Sequence, residues 1–410
     1  FAPVSDQSGS ATVTVTVEDG GLDGNLATSG DNNSTVETFS VTVSAVNDAP
    51  TVNSLVNLSI DEDSSEDVQL AGISAGGGES QALAVKAISD NIGLVPNPPV
   101  TYASANSTGS IKLTPVADAS GTALITVTIE DAGLDGKLAT TNDNETTTRT
   151  FTVTVSPLND EPTIDTLANL FMDEDDDTRT VNLSGITAGG SESQPLRVTA
   201  ASNNISVVPN PSVSYSSADS IGSIQFKPLA DQSGVATITV TVTDGGLDNN
   251  LATANDNAST VRTFNVTVDP VNDVPTVTAI NNLTISEDAT EQSVPFTGVS
   301  AGGGESQPLQ VTTTSSNTSL IPNPSVSYTT PETTGSFKFT PFADASGSTL
   351  ITVTVTDGGL DGNLATNNDN ASTVRSFTVT VDAVNDVPTV DTMASLSVAE
   401  DAIQQTVSIA

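Results

Sequence analysis

The stretch Val46-Asn47-Asp48-Ala49-Pro50 ends one run of alternating apolar residues and precedes another. Proline fixes φ and removes a backbone donor, so a β-sheet cannot continue through it. The stretch returns at intervals of 112, 113 and 113 residues, at residues 158–162, 271–275 and 384–388. Intervals of this size are typical of an independent domain and too long for a solenoid unit. We therefore interpret the stretch as the joint between successive domains.

These joints divide the chain into three complete repeats, at residues 50–161, 162–274 and 275–387. The first nine residues resemble residues 226–234, which lie well inside the second complete repeat. We therefore expect residues 1–49 to be the C-terminal part of a further repeat and residues 388–410 to be the N-terminal part of one more. On this interpretation the chain is a window from a longer repetitive protein.

Alternation of apolar and hydroxyl residues predicts β-strands, and no stretch shows a convincing helical period. β-Branched residues at a period of two lie between Gly, Pro, Asp and Asn turns, as in half-buried antiparallel strands. Seven strands in about 110 residues predict an all-β chain of tandem seven-stranded Greek-key β-sandwiches of the immunoglobulin-like type. In the first complete repeat the predicted strands are residues 55–60, 66–71, 83–88, 100–102, 109–113, 123–129 and 150–155.

The odd number of strands fixes where the two termini of each sandwich lie. Antiparallel strands alternate in direction, so seven strands bring the termini out at opposite ends and the copies follow head to tail as a rod. Turns after the first, third and fifth strands then lie at the C-terminal end of a repeat. Loops after the second, fourth and sixth strands lie at its N-terminal end. Acidic groups of two neighbouring repeats are therefore expected to meet at each joint.

The composition excludes several classes of function. Fifty Asp and Glu against ten Lys and Arg give a formal charge of −40, which repels nucleic acid and anionic membranes and attracts cations. The absence of cysteine excludes disulfides, and the absence of histidine removes Ser-His catalysis and most zinc sites. No apolar run approaches the length of a membrane span. Because the acids repeat with the scaffold, a glycosidase carboxylate pair is disfavoured and we expect no enzyme.

Calcium is the predicted occupant of the joints, because Ca²⁺ takes six to eight oxygen ligands from Asp, Glu, Asn and backbone carbonyls. A single aspartate is equally well explained as a turn former, whereas a set that converges on one joint favours a metal. The predicted ligands are the linker residues Asn47, Asp48, Asn159, Asp160, Asn272, Asp273, Asn385 and Asp386; the acids after the first strand, Glu62, Asp63, Glu174, Asp175, Glu287 and Asp288; the aspartates before the sixth strand, Asp6, Asp118, Asp231 and Asp344; and those after it, Asp131, Asp135, Asp244, Asp248, Asp357 and Asp361.

The long loop after the sixth strand is a second candidate site. In the first complete repeat it runs from Asp131 to Asn144, and it lacks the alternate-residue acids and the closing Glu of an EF-hand. Its acids have three open roles: ligands of the joint, ligands of a local ion, or turn formers. At the joint of residues 158–162, Asp256 from this loop and Glu192 from a glycine-rich loop are further candidates.

At these residues the chain resembles the cadherin-like tandem repeats of large bacterial surface proteins, and the resemblance covers all 410 residues. Its marks are the Val-Asn-Asp-x-Pro linker, the Glu-Asp pair after the first strand and the late Thr-Val-Thr-Val-x-Asp-Gly run. By the order of motifs in animal cadherins, Asp118 and its counterparts match the first Asp of Asp-Arg-Glu, and Asp131 and its counterparts match Ala-x-Asp. Ser120 and its counterparts stand where a second carboxylate belongs. The resemblance therefore implies fewer or weaker calcium ions per joint than in a true cadherin.

The resemblance implies a calcium-stiffened extracellular rod, secreted to the cell surface as part of an adhesin stalk or fibre, with self-association into fibres or bundles. The alternative hypothesis is a binding module whose exposed loops, such as residues 76–80 or 94–99, hold a carbohydrate or a partner cell; an enzyme is a distant third. A fibre predicts lateral contacts between chains and packing of threonine-rich faces. A lectin predicts a pocket with an aromatic floor.

Overall fold

The structure is a computed structural model that describes residues 1–140, 142–366 and 368–409. Within these residues it contains β-strands and no helix, which confirms the all-β prediction. Accordingly, no described segment forms a helix long and apolar enough to cross a membrane. The first two strands, β1 (Gly9–Glu18) and β2 (Ser34–Val43), form an antiparallel pair by themselves.

The strands between residues 58 and 156 form a sandwich of two sheets. The four-stranded sheet has the strand order β3-β9-β8-β5, and the three-stranded sheet has the order β4-β7-β6. Proline-free, Thr/Val-alternating segments supply the two longest strands, β8 and β9. The bounds are β3 (Leu58–Asp61), β4 (Glu66–Ala71), β5 (Leu83–Ser89), β6 (Val100–Thr101), β7 (Thr108–Leu113), β8 (Gly121–Asp131) and β9 (Thr146–Ser156).

The following two stretches repeat this arrangement strand for strand, so the predicted tandem β-sandwiches are present. In the second the strands are β10 (Leu170–Asp173), β11 (Arg179–Leu183), β12 (Leu196–Ser202), β13 (Ser212–Ser214), β14 (Gly222–Phe226), β15 (Gly234–Asp244) and β16 (Ser259–Asp269). In the third they are β17 (Leu283–Ser286), β18 (Gln292–Thr297), β19 (Leu309–Ser315), β20 (Ser325–Ser327), β21 (Thr334–Phe339), β22 (Gly347–Asp357) and β23 (Ser372–Asp382).

Each sandwich has its own core between the two sheets. In the first, alternate residues of β8 (Ile125, Val127 and Ile129) are fully buried and pack with Phe151 of β9 and Ile111 of β7. The intervening threonines of β8 face outward, as the period of two requires. Three separate clusters of this kind recur along the chain. The repeat boundaries proposed from the sequence remain a prediction.

The first strand of the first complete repeat begins later than expected. It was predicted at residues 55–60 but begins at Leu58, because Leu55 packs against the core from an irregular segment. This strand, β3, runs parallel to β9, with Leu58 opposite Val153. With seven strands the first and last point the same way, so their pairing is parallel. This direction brings the chain in at one end of the sandwich and out at the other.

Candidate metal centre at the joints

The linker asparagine is held by the repeat that follows it. Asn47 donates from Nδ2 to Oδ1 of Asp131 (3.0 Å) and accepts at Oδ1 from Nε2 of Gln81 (2.5 Å). Gln81 lies after the second strand and Asp131 ends the sixth, so both come from the N-terminal end of the sandwich. The equivalent chains of hydrogen bonds are Gln194–Asn159–Asp244 and Gln307–Asn272–Asp357.

The aspartate at the end of each of these chains has one carboxylate oxygen without a partner. Asp131, Asp244 and Asp357 are 0% exposed. Oδ1 of Asp131 accepts from Asn47 and from the backbone N–H groups of Gly133 and Glu145, each at 3.0 Å. In all three aspartates Oδ2 is buried and has no hydrogen-bond partner among the residues that the structure describes. An unpaired buried polar atom costs about 1–3 kcal/mol, and more if it is charged, so a cation or a hydrogen-bond donor beside each of these oxygens is favourable.

The linker backbone is clamped by two glutamates from opposite sides of the joint. Glu62, which is 4% exposed, accepts at Oε1 from the N–H of Leu158 (2.8 Å), at the C-terminal end of its own repeat. Glu192 of the next repeat accepts at Oε2 from the N–H of Asp160 (3.1 Å). The same clamp recurs one repeat later, where Glu174 and Glu305 hold Val271 and Asp273. The linker backbone is therefore hydrogen-bonded to both of the repeats that it connects.

Three carboxylates converge at two of the joints. Ligand oxygens of Asp63, Asp118 and Asp160 lie within 4.8 Å of one another. The predicted meeting of the turns after the first and fifth strands with the linker is the arrangement found here. The same set recurs as Asp288, Asp344 and Asp386. Ca²⁺ binds oxygens at about 2.3–2.6 Å, so three oxygens this close can share one ion.

The aspartate before the sixth strand adopts a conformation that few side chains tolerate. Asp118 has a φ of 56°, and its counterparts Asp6, Asp231 and Asp344 have φ of 57–59°. Asp and Asn visit this left-handed region more readily than other residues with a Cβ atom, at a cost of about 1–2 kcal/mol. The backbone at this turn therefore favours Asp over most residues, and it carries Asp118 and Asp344 into the two clusters.

Burial and neighbouring carboxylates raise the pKa values of two linker aspartates. Burial raises the pKa of Asp160 above its usual range, and the carboxylates of Asp118, Asp63 and Glu62 raise it further. Burial likewise raises the pKa of Asp273, with added repulsion from three acids: Asp231, Asp175 and Glu174. The ion pairs between described residues, Lys227–Asp177 and Lys338–Glu291, involve none of the clustered aspartates. Among the described residues, no lysine or arginine is therefore paired with these carboxylates.

Glycines make room for the linker aspartate. A Cβ atom at Gly190 would overlap the Oδ2 atom of Asp160, and Gly77 and Gly303 stand in the same relation to Asp48 and Asp273. The Oδ2 atoms of Asp160 and Asp273 are buried against this surface without a hydrogen-bond partner. The glycine-rich loop after the second strand therefore packs directly against the linker carboxylate. We call this surface, formed by Gly77, Gly190 and Gly303 in their respective repeats, the glycine floor.

The remaining joint residues are placed as follows. At residues 46–50, Asp6 and Asp48 line one cavity of about 410 Å³. At residues 384–388, Glu287 accepts from the N–H of Val384 (2.7 Å), and Asn385 donates to the carbonyl of Asp386.

The acids of the long loop after the sixth strand serve its turn. Asp135 accepts at Oδ1 from the N–H of Lys137 (2.9 Å) and at Oδ2 from the hydroxyl of Thr140 (2.6 Å). The hydrogen bond from Thr140 is the larger cause, and together the two bonds hold the pKa of Asp135 below its usual range. Asp248 and Asp361 make the same two bonds. Of the three roles left open for these aspartates, the bonds support turn formation. Asp256 likewise accepts from the N–H of Asp248 within the loop.

Sequence reasoning missed the glutamine of each amide chain. Gln81, Gln194 and Gln307 each have a buried Oε1 without a partner beside the joint. The available signal was the triplet Glu-Ser-Gln after the glycine-rich turn, which recurs in all three complete repeats. Glu192 had been considered as a candidate, but its counterparts Glu79 and Glu305 had not. Glu79 accepts from the N–H of Asp48 and from Gln81.

Comparison with solved structures gives matches at low sequence identity. Mouse cadherin-23 EC22–24 is matched over 82% of this chain and 100% of its own, at 12% identity and a TM-score of 0.40. The chain is similar to tandem cadherin domains. Drosophila N-cadherin EC1–4 is matched over 92% and 84% of the two chains, at 13% identity and a TM-score of 0.31. An endo-fucoidan hydrolase of glycoside hydrolase family 107 is matched over 83% and 45% of the two chains, at 14% identity and a TM-score of 0.23. No family model and no curated protein sequence matches.

Proposed function

We propose that the chain is a segment of an extracellular rod whose β-sandwiches are stiffened by Ca²⁺ at each joint and which serves adhesion or a surface matrix. The observation that carries this proposal is the set of buried carboxylate oxygens at the joints that have no hydrogen-bond partner. They belong to Asp131, Asp160, Asp244, Asp273 and Asp357.

The donor set fits calcium better than other common ions. Carboxylate and amide oxygens surround each joint, and the chain has no cysteine or histidine for softer metals. Mg²⁺ demands a small octahedral site and gives up its waters reluctantly, whereas Ca²⁺ accepts irregular sets of oxygens. The residues that would hold calcium are Asp63, Asp118 and Asp160 on one side of a joint and Asp244 on the other, with their counterparts at the other joints.

Charge explains why such a joint would depend on the ion. Two full charges about 5 Å apart repel by roughly 1 kcal/mol in bulk water and by more where the site is partly buried. Three carboxylates form three such pairs, and their summed repulsion exceeds the thermal energy. Without a cation, this repulsion favours bent joints. With one, Glu62 and Glu192 can hold the linker in a single geometry.

Small-angle X-ray scattering of the full chain tests whether the rod is stiff. In millimolar calcium we expect the longest interatomic distance to be greatest, and after addition of EGTA we expect it to fall while the cross-section stays unchanged. Magnesium at the same concentration is the control and should restore little of the length. Identical distance distributions with calcium and with EGTA would contradict stiffening by the ion.

A further inference from the structure

The outer face of each four-stranded sheet is covered mainly by hydroxyl side chains. On β15 the outward residues alternate with the buried core residues, and from Thr237 to Thr243 all of them are threonine. Neighbouring outward positions of β16 are Thr263, Asn265 and Thr267. Thr239 lies directly opposite Thr263 across the two strands. We call this surface, formed by the outward residues of the four-stranded sheet in each repeat, the threonine face.

Charge is sparse on the threonine face although the chain carries a net charge of −40. The outward positions of β15 and β22 are all uncharged. By contrast, the three-stranded sheet and its turns carry the ion pairs Lys227–Asp177 and Lys338–Glu291. Two copies of so acidic a chain repel each other over most of their surface. The threonine face is where they can approach with the least like-charge contact.

Docking on the threonine face would bury exposed apolar side chains, while several of its hydroxyl groups would keep their present hydrogen bonds. Leu124 is 40% exposed, Phe171 is 72% exposed and Leu350 is 44% exposed, one in each repeat. Several hydroxyls are already hydrogen-bonded across the strands, such as Thr243 with Ser259 and Thr356 with Ser372, both at 2.9 Å. Exposed apolar area is therefore available for burial. Some of the hydroxyl groups already have a hydrogen-bond partner within the sheet, so their hydrogen bonds do not have to come from water.

We propose that the threonine face is the surface on which a second copy of this chain docks side by side. The four strands of the first complete repeat have 4, 7, 11 and 11 residues, so at about 3.3 Å per residue and 4.8 Å between strands one face offers roughly 500 Å². A stable interface needs about 800 Å² from each partner, which one repeat does not supply and two repeats do. The inference thus rests on the proposed function, because only a stiff joint keeps two faces in a fixed relation.

Sedimentation equilibrium of the full chain tests this docking. In millimolar calcium, at about 1–100 µM protein, we expect the mass to rise from 41.4 kDa to at least twice that value. The variant Thr126→Glu/Thr239→Glu/Thr352→Glu places one carboxylate at the centre of each threonine face and should weaken association about tenfold or more. The matched control, Gln69→Glu/Gln225→Glu/Ser293→Glu, adds the same charge at exposed positions of the three-stranded sheets and should associate nearly as the native chain does.

Two results would overturn the docking. One is a native chain that stays monomeric in calcium at the highest concentration, which would leave the face to another occupant such as a polysaccharide. The other is equal association of the two variants. The unfolding temperature of the same samples with and without EGTA distinguishes the causes. A monomeric chain that still melts earlier in EGTA refutes docking and keeps the calcium joint, whereas an unchanged temperature refutes the joint itself.

Discussion

Removing calcium with EGTA is expected to lower the unfolding temperature of the full chain by about 4–10 °C for each ion bound at a joint. Extracellular-type sites bind with a dissociation constant of about 10⁻⁴–10⁻³ M. At about 5 mM calcium this gives roughly 1–2.3 kcal/mol of stabilisation per ion, and 1 kcal/mol shifts the midpoint of a domain of this size by about 4 °C. Differential scanning calorimetry measures the shift directly.

Ionic screening must be separated from binding in this experiment. A chain with a net charge of −40 is stabilised by any salt, because screening weakens its self-repulsion. The EGTA sample therefore receives sodium chloride to equal ionic strength, and a third sample receives magnesium in place of calcium. Equal unfolding temperatures in the three samples would show that no specific calcium site exists.

Filling the glycine floor under the linker aspartates is expected to remove most of the calcium response. In the variant Gly77→Ala/Gly190→Ala/Gly303→Ala, the new methyl groups occupy the positions of the carboxylates of Asp48, Asp160 and Asp273. The aspartates must then move away from their partners. We expect calcium affinity to fall about tenfold or more, in line with the loss of a ligand worth at least about 1.4 kcal/mol. Isothermal titration calorimetry with calcium measures the change.

The neighbouring glycines provide the control for backbone strain. Gly78 and Gly304 also have a positive φ, of 74°, but a Cβ atom there would meet nothing within 4 Å. The second repeat naturally has Ser191 at this place, with a φ of 62°. The variant Gly78→Ser/Gly304→Ser should therefore keep the calcium affinity of the native chain. If both variants lose affinity equally, strain in the loop and not contact with the aspartates is the cause.

Much of the fold could be predicted because each strand has its own local signal. The alternation of apolar residues and threonine in residues 123–129 predicts both the strand and its buried face, and β8 extends this stretch only at the ends. The parity of seven strands placed Glu62, Asp63 and Asp118 at the same end as the linker, as the structure shows. The start of β3 was misjudged because Leu55 is apolar and packs inward without pairing.

The finer assignment of the site could not be predicted from residue types. Asp131 and Asp135 are both acids in one loop, yet Asp131 is fully buried beside Asn47 whereas Asp135 is exposed and bonded to Thr140. That difference depends on which side of the turn each residue occupies, and spacing alone does not reveal it. The role of Gln81 could not be predicted for a similar reason, because a glutamine two residues after a glutamate occurs in many structural settings. Repetition in every copy was the one available sign.

Anomalous diffraction from crystals grown in calcium tests the central claim most directly. We expect a calcium peak within about 2.3–2.6 Å of carboxylate oxygens of Asp63, Asp118 and Asp160, and a second set beside Asp288, Asp344 and Asp386. Peaks at both joints, with the aspartates turned toward them, would establish that the linker aspartate and the two turns of the repeat before it share one ion. Ordered joints without any anomalous peak, with these carboxylates bound only to water, would contradict it.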